Sequence, residues 1–228
     1  MYASQFMDDL KARVMAHPFL HHPFLQRFVA KPLTREQAQR FALLYYPHIL
    51  RTRLYQACAL GVTPDEQVQF VLAQILHDEY GNGDPSRSHM AVYRKCLYAL
   101  DIPQTQIDNP PIIPEVQGYI DTMMRLSQGS DWLAAVAAVG IAGEWPIPQY
   151  YEILLRGLST VPGISADDLE LFSSHITLDI EHSKMTEDAL LPYVQTEAGQ
   201  TAIWRGIELN LNARLVKLNG LQREVFGA

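Results

Sequence analysis

The spacing of apolar residues is the feature that most constrains the fold of this chain. In most segments they recur every three or four positions, as Val68, Leu72 and Ile75 do, and no stretch alternates convincingly between apolar and polar residues. The first spacing buries one face of a helix, whereas alternation at every second residue would indicate a strand. The pattern therefore predicts an all-α protein.

Length and composition favour one domain covering residues 1–228. A chain of 228 residues with 48% hydrophobic residues can bury a sizeable core. The proline-rich connector between residues 103 and 114 reads as a loop within that domain. The net charge of -7 argues against binding to nucleic acid or to an anionic membrane, since both need a basic patch.

The longest apolar run and the cysteines bear on location. Residues 132–143 are apolar, but this run is shorter than the ~20 residues that cross a bilayer. The chain has two cysteines, Cys58 and Cys96, and its first residues lack the apolar core of a signal peptide. We therefore expect a cytoplasmic protein, with a single disulfide left open.

The sequence HITLDIEH carries the first candidate metal ligands. His175, Asp179 and His182 are spaced i, i+4 and i+7, which places them within roughly 60° of one another on a helix. The alternative is a buried histidine that hydrogen-bonds Asp179, together with an exposed second histidine. Complementary ligands from elsewhere in the chain would decide between the two.

Three further residues supply such ligands. Glu79 continues an apolar helical stripe, and the turn that follows it is expected to fold His89 back toward Glu79. Glu144 ends the apolar helix predicted for residues 131–144. Each also has an ordinary interpretation: a helix-end carboxylate, an exposed histidine and an ion-paired glutamate. Because buried carboxylates need positive charge and no lysine or arginine is obviously placed inside, the sequence favours a metal.

The donor set indicates which metal. Three carboxylates and three imidazoles could hold two ferrous ions in the core of a helical bundle. Mixed nitrogen and oxygen donors with open positions suit iron or manganese better than structural zinc, and magnesium would want fewer histidines. We expect Glu79, His89, Glu144, His175, Asp179 and His182 to be catalytic metal ligands.

These motifs resemble a known family. The stretch HDEYGNGDPSRSH (77–89), Glu144 and HITLDIEH (175–182) are similar to the signature of the heme-oxygenase-like diiron oxidases and oxygenases, iron-containing redox enzymes. That family includes the chlamydial death-domain-associating protein and the N-oxygenases of N-nitroso natural-product biosynthesis. AHPFLHHPFLQRF near the N-terminus and TREQAQRFALLYY also resemble the wider superfamily. The interval from Glu79 to His89 is that of the N-oxygenases.

The resemblance implies a bundle of about seven core helices that binds two irons and reduces dioxygen. It predicts N-oxygenation or oxidative C–C cleavage of a small, amino-acid-derived substrate. Some relatives instead make aminobenzoate from their own side chains and need a lysine in the helix after the third ligand. This chain has Leu154, Leu155 and Arg156 there, which argues against that activity.

The sequence also leaves other functions open. The alternatives are a protein-interaction bundle with a vestigial metal site and a cofactorless quinone-forming oxidase. A thiaminase-like reaction has little support, because the apolar helix lacks the cysteine that it needs. The expected partners are a small-molecule substrate and dioxygen, and a homodimer is left open. Arg53 or Arg156 could anchor a substrate carboxylate. Four aromatic residues could line the pocket: Tyr45, Tyr46, His48 and Tyr55.

Overall fold

The computed structural model describes residues 2–227, and all regular secondary structure within this range is helical. This confirms the all-α prediction, whereas one domain over residues 1–228 stays a prediction. The α-helices are α1 (Tyr2–Met15), α2 (Pro23–Ala30), α3 (Arg35–Ile49), α4 (Thr52–Val62), α5 (Glu66–Glu79), α6 (His89–Ala99), α7 (Gln104–Asp108), α8 (Pro114–Ser127), α9 (Trp132–Val136), α10 (Ile147–Leu158), α11 (Glu170–Leu190) and α12 (Glu197–Phe226).

Local capping signals set many helix starts. Thr34 and Gln37 form the predicted capping box of α3. Ser88 accepts a hydrogen bond from the backbone of Ala91 at the start of α6, and Thr196 does the same for Gly199 in α12. These bonds satisfy amides that have no partner inside the helix.

Apolar periodicity predicts one long helix from Thr34 to about Leu60 with a kink at Pro47, but the structure divides this stretch into two helices. α3 includes Pro47 and ends at Ile49, and α4 begins at Thr52. Proline has no amide hydrogen and its ring crowds the preceding turn, which weakens the helix locally.

The apolar helix predicted for residues 131–144 is shorter than expected. α9 ends at Val136 and continues as a π-helical turn over Ala137–Ile141, in which the amide of Ala142 donates to the carbonyl of Ala137. Glu144 therefore lies in the turn between this segment and α10, where its backbone is not tied to a regular helix. π-helical turns of this kind are frequent at functional sites.

The structure corrects two further predictions of secondary structure. The proline-rich connector contains the short helix α7, and a 3₁₀ turn at Pro85–Arg87 precedes α6. His89 is consequently the first residue of α6, whereas the sequence placed it on the second turn of a helix starting at Pro85.

The long helices surround the candidate site. α12 packs against α3, α8, α9 and the π-helical turn, while α11 packs against α5, α6 and α10. Residues 2–227 contain no helix that combines the length and hydropathy needed to span a bilayer. Cys58 and Cys96 are both free thiols, so the disulfide that the sequence left open is absent.

One prediction concerns the packing of α9 on α12. A Cβ atom at Gly206 would lie 2.1 Å from the backbone carbonyl oxygen of Ala134, whereas one at Gly118 in α8 would meet nothing within 4 Å. Gly118→Ala should therefore stabilise the protein by about 0.5–1 kcal/mol through helix propensity. Gly206→Ala should destabilise it by about 1–3 kcal/mol because the two helices must separate.

Denaturant unfolding of the metal-free variants measures both changes. A Gly206→Ala variant as stable as Gly118→Ala would contradict the close approach of α9 and α12.

Candidate metal centre

All six residues singled out in the sequence line one cavity, which encloses about 690 Å³ of empty space including its mouth. α5, α6, α11 and the turn before α10 each contribute to the wall. The structure thus brings together residues that are as much as 103 positions apart, from Glu79 to His182.

α11 presents His175, Asp179 and His182 to the cavity. The His175 ring is fixed by its Nδ1, which lies 2.7 Å from the carbonyl oxygen of Leu171. Because a carbonyl only accepts, Nδ1 carries the proton and a neutral ring leaves Nε2 with a free lone pair. A backbone carbonyl that orients the ring in this way is a common partner of metal-binding histidines.

Burial and the nearby His89 lower the pKa of His175 to about 3. The ring is therefore neutral at pH 7, which is the protonation state that binds metal. The alternative in which the buried histidine bonds Asp179 is not what the structure shows, since the His175 ring bonds to Leu171 and contacts His89.

Glu79 and His89 form the second pair. The Nδ1 atom of His89 lies 3.0 Å from Oε2 of Glu79 and 3.2 Å from Nε2 of His175. Burial alone would lower the pKa of His89, but the charge and hydrogen bond of Glu79 raise it above the usual value. Burial raises the pKa of Glu79, yet His89 outweighs it and the net pKa is lowered. The predicted fold-back of His89 onto Glu79 is therefore observed.

Glu144 and Asp179 are two buried acids that lack such a partner. The Oε2 atom of Glu144 has no hydrogen-bond partner among residues 2–227. Burial, followed by the charges of Asp179 and Glu79, holds the pKa of Glu144 well above its ordinary value. Burial likewise raises the pKa of Asp179, with a contribution from Glu79. Two acids that resist ionisation in one cavity are typical of a site that binds cations.

The expectation that no lysine or arginine lies inside is wrong. Arg214 and Lys217 on α12 are 3% and 0% exposed. The guanidinium of Arg214 donates to the carbonyl of Gly143 and to Oδ1 of Asn210, both at 2.9 Å. Its charge lowers the pKa of Glu144, but burial and the neighbouring carboxylates outweigh this effect.

The donor set fits iron, although the side chains are not gathered around a single point. Among residues 2–227, no three His, Cys, Asp or Glu side chains are grouped so that they could hold a metal ion. Imidazoles and carboxylates instead hydrogen-bond to one another, as His89 does to Glu79 and His182 to Asp78. Oε2 of Glu144 is unpaired and the pKa of Asp179 is raised, so neither carboxylate has a cationic partner that fully compensates its charge. Ferrous iron would supply that positive charge.

Sequence reasoning missed two polar residues that contact the candidate ligands. Oδ2 of Asp78 lies 2.7 Å from Nε2 of His182, and Nε2 of Gln56 donates to Oε1 of Glu79 over 3.4 Å. Asp78 immediately precedes Glu79, but the apolar pattern of α5 gives no sign of its contact. These residues orient ligands rather than add to the set, as partners of metal-binding side chains commonly do.

Neither arginine proposed as a substrate anchor lines the cavity. Arg156 is exposed, and Arg53 contacts Met90 and Tyr80 outside the cavity. Arg214 does line it. The sequence pattern could have predicted that Arg214 is buried, since Asn210, Arg214 and Lys217 occupy the helical stripe that also contains Ile207 and Leu211.

Solved structures share this fold. A CADD-like protein of unknown function from Nostoc punctiforme PCC 73102 superposes with a TM-score of 0.82 at 16% identity, covering 99% of both chains. A domain of unknown function with a heme oxygenase-like fold from Shewanella denitrificans gives a TM-score of 0.73 at 14% identity, covering 99% of this chain and 94% of that one. The fold is therefore heme oxygenase-like.

Curated relatives are similar in sequence along most of the chain. A 4-aminobenzoate synthase from Chlamydia muridarum is 29% identical over 82% of this chain and 77% of that protein. One from Nitrosomonas europaea is 24% identical, with 95% and 96% covered. A 4-chloro-allylglycine synthase from Streptantibioticus cattleyicolor is 23% identical, with 89% and 77% covered.

A family model described as iron-containing redox enzyme matches residues 39–215, the part of the chain that holds all six candidate ligands. The chain therefore belongs to the iron-containing redox enzyme family and is an oxidoreductase with a heme oxygenase-like fold.

Proposed function

We propose that this protein is a non-heme diiron enzyme that uses dioxygen to oxidise a small, amino-acid-derived substrate. The observation that carries the proposal is one cavity lined by Glu79, Glu144 and Asp179 together with three histidines. The reaction is N-oxygenation or oxidative C–C cleavage. The relative named 4-chloro-allylglycine synthase supports a substrate of the amino-acid class.

The residues have distinct tasks in this proposal. Bound ferrous iron would supply the activation of dioxygen, with manganese as an alternative metal. His89, His175 and His182 would bring imidazole nitrogens to the metal, while the three carboxylates would balance most of its charge. Leu171 orients His175 through its carbonyl, and Asp78 orients His182 through its carboxylate.

The alternatives have less support. Membership of an enzyme family favours catalysis over an interaction bundle with a vestigial site. A cofactorless quinone-forming oxidase would leave three carboxylates facing a cavity without a purpose. A homodimer remains a prediction for size-exclusion chromatography.

The first test in this group is metal content together with oxygen consumption. The protein loaded with ferrous iron without air should bind up to about two irons per chain. His175→Ala should lose tight binding at one site, because the lone pair of Nε2 is removed. The exposed His21 provides the control variant His21→Ala, which should keep wild-type iron content.

Iron content by elemental analysis and oxygen uptake by electrode give the readouts. Unchanged iron stoichiometry in His175→Ala would remove His175 from the ligand set. A wild-type protein that neither binds iron nor consumes oxygen with any amino acid would refute the proposed function.

The second test uses the metal-free protein and Glu144→Gln. Because the pKa of Glu144 is raised by folding, the unfolded chain releases this proton at a lower pH than the native one. The native state therefore loses stability as the pH rises above the ordinary carboxyl pKa of about 4. Glutamine cannot ionise, so the variant should be more stable at pH 7 by about 1–3 kcal/mol and equal to wild type at low pH.

Urea unfolding at both pH values measures this difference, with the exposed Glu152→Gln as control. If Glu144 were instead the ion-pair partner of Arg214, the variant would strand a buried cation and lose about 3–5 kcal/mol. That loss, combined with normal iron content, would exclude Glu144 as a ligand.

A second candidate function is formation of 4-aminobenzoate, as in the names of two relatives. The favouring observation is the buried amine of Lys217, which has no hydrogen-bond partner within residues 2–227 and lies 4.2 Å from the ring centre of Tyr119. Burial and then Arg214 hold the pKa of this amine well below its usual value, which favours the neutral, nucleophilic form. The resemblance implied a lysine near the centre of α10, but Leu154 occupies that position.

This candidate predicts product without added substrate. Iron-loaded protein incubated with air should release 4-aminobenzoate, detectable by mass spectrometry, and Lys217→Arg should abolish it while the exposed Lys31→Arg does not. If the wild-type protein releases no 4-aminobenzoate, this second candidate function is rejected, and the leading proposal is unaffected.

A further inference from the structure

The guanidinium of Arg214 lines the cavity with unused hydrogen-bonding capacity. Arginine has five N–H donors in a planar fork. Nε donates to Asn210 and Nη2 donates to Gly143, while Nη1 has no hydrogen-bond partner in the part of the chain that the structure describes. The ring of Phe19 packs 5.5 Å from the guanidinium carbon, and the phenol of Tyr119 lies beside it.

Charge balance shows what this arginine lacks. A buried guanidinium ordinarily has a carboxylate partner, because isolated charges are costly to bury. Within residues 2–227 no ion pair joins Arg214 to a carboxylate, and its hydrogen bonds go to Asn210 and to the carbonyl of Gly143. Once iron bound Glu144 and Asp179, the charge of these carboxylates would be committed to the metal. The cavity then has an arginine without an anion.

The same cavity also has unpaired acceptors. Oε1 of Gln56 and Nδ1 of His48 are buried and have no hydrogen-bond partner within residues 2–227. Both residues line the cavity with Arg214. Burial and then the neighbouring Lys217 hold the pKa of His48 well below its usual value, so the ring is neutral and one of its nitrogens can accept a hydrogen bond. Unpaired acceptors together with an unpaired guanidinium match a ligand that carries both an amine and a carboxylate.

We propose that Arg214 binds the substrate carboxylate and that the cavity accepts a free α-amino acid, whose amine is held by Gln56 and His48. The inference rests on the proposed function and specifies its substrate. A carboxylate fits the planar fork of an arginine. Because Arg214 also binds Gly143, the anchored group lies next to the turn that carries Glu144.

The test compares amino acids with their decarboxylated amines. Binding of L-lysine and cadaverine, L-tyrosine and tyramine, L-tryptophan and tryptamine, and L-histidine and histamine is measured by calorimetry on the manganese-loaded full chain without oxygen. At least one amino acid should bind, and its amine should bind roughly 10- to 100-fold more weakly, as expected for loss of a charged hydrogen-bonded contact.

Variants assign the effect to one residue. In Arg214→Gln the amino acid should bind no better than its amine, while Arg214→Lys should keep part of the preference. The exposed Arg156→Gln is the matched control and should keep all of it. Since Arg214 also supports Gly143, circular dichroism checks that each variant folds, and the wild-type comparison stands even if Arg214→Gln does not.

The outcomes separate this inference from the proposed function. Equal binding of acid and amine by the wild-type protein, no binding of any amino acid, or an undiminished preference in folded Arg214→Gln would overturn the inference. None of these results depends on oxygen chemistry. Conversely, a carboxylate preference in a protein that consumes no oxygen would support the binding site and refute the oxidase.

Discussion

The arrangement of three carboxylates in one buried cavity is the constraint on which the rest of the structure depends. Glu79 is stabilised by His89, whereas burial and the charges of neighbouring carboxylates raise the pKa of Glu144 and of Asp179. The helical bundle must stabilise this cluster without metal and must still leave it open to metal. His89 holds one part of this cluster together, because it contacts both Glu79 and His175.

Much of the architecture could be predicted because its signals are local. α8, α10 and α12 have the bounds that proline, capping residues and apolar periodicity indicated. The grouping on α11 was predictable for the same reason, since i, i+4 and i+7 share a helix face in any context. The heme oxygenase-like fold came from resemblance, which adds long-range information that periodicity does not contain.

The remaining features depend on contacts between distant segments. The π-helical turn at Ala137–Ile141 packs against α11 and α12. Its sequence, AAVGI, does not distinguish it from an ordinary α-helix. The apolar pattern places Leu215 on the inward face of α12, but Leu215 is only partly buried, whereas Arg214 is buried. One continuous stripe of buried residues runs through Ile207, Asn210, Arg214 and Lys217. The buried cations were missed because charged side chains are rarely fully buried and an interpretation based on apolar residues alone passes over them.

Arg214 explains why the π-helical turn and α12 matter to one another. The guanidinium holds the carbonyl of Gly143, and a Cβ atom at position 143 would overlap the carbonyl of Val139 at 1.8 Å, so the chain can make this tight turn only with glycine. The turn delivers Glu144 to the cavity, and the arginine that braces it faces the same space. A ligand that draws on Arg214 therefore acts on the segment that carries a candidate metal ligand. If the substrate carboxylate binds Arg214 as proposed, substrate binding would be coupled to the geometry at Glu144 through this one side chain.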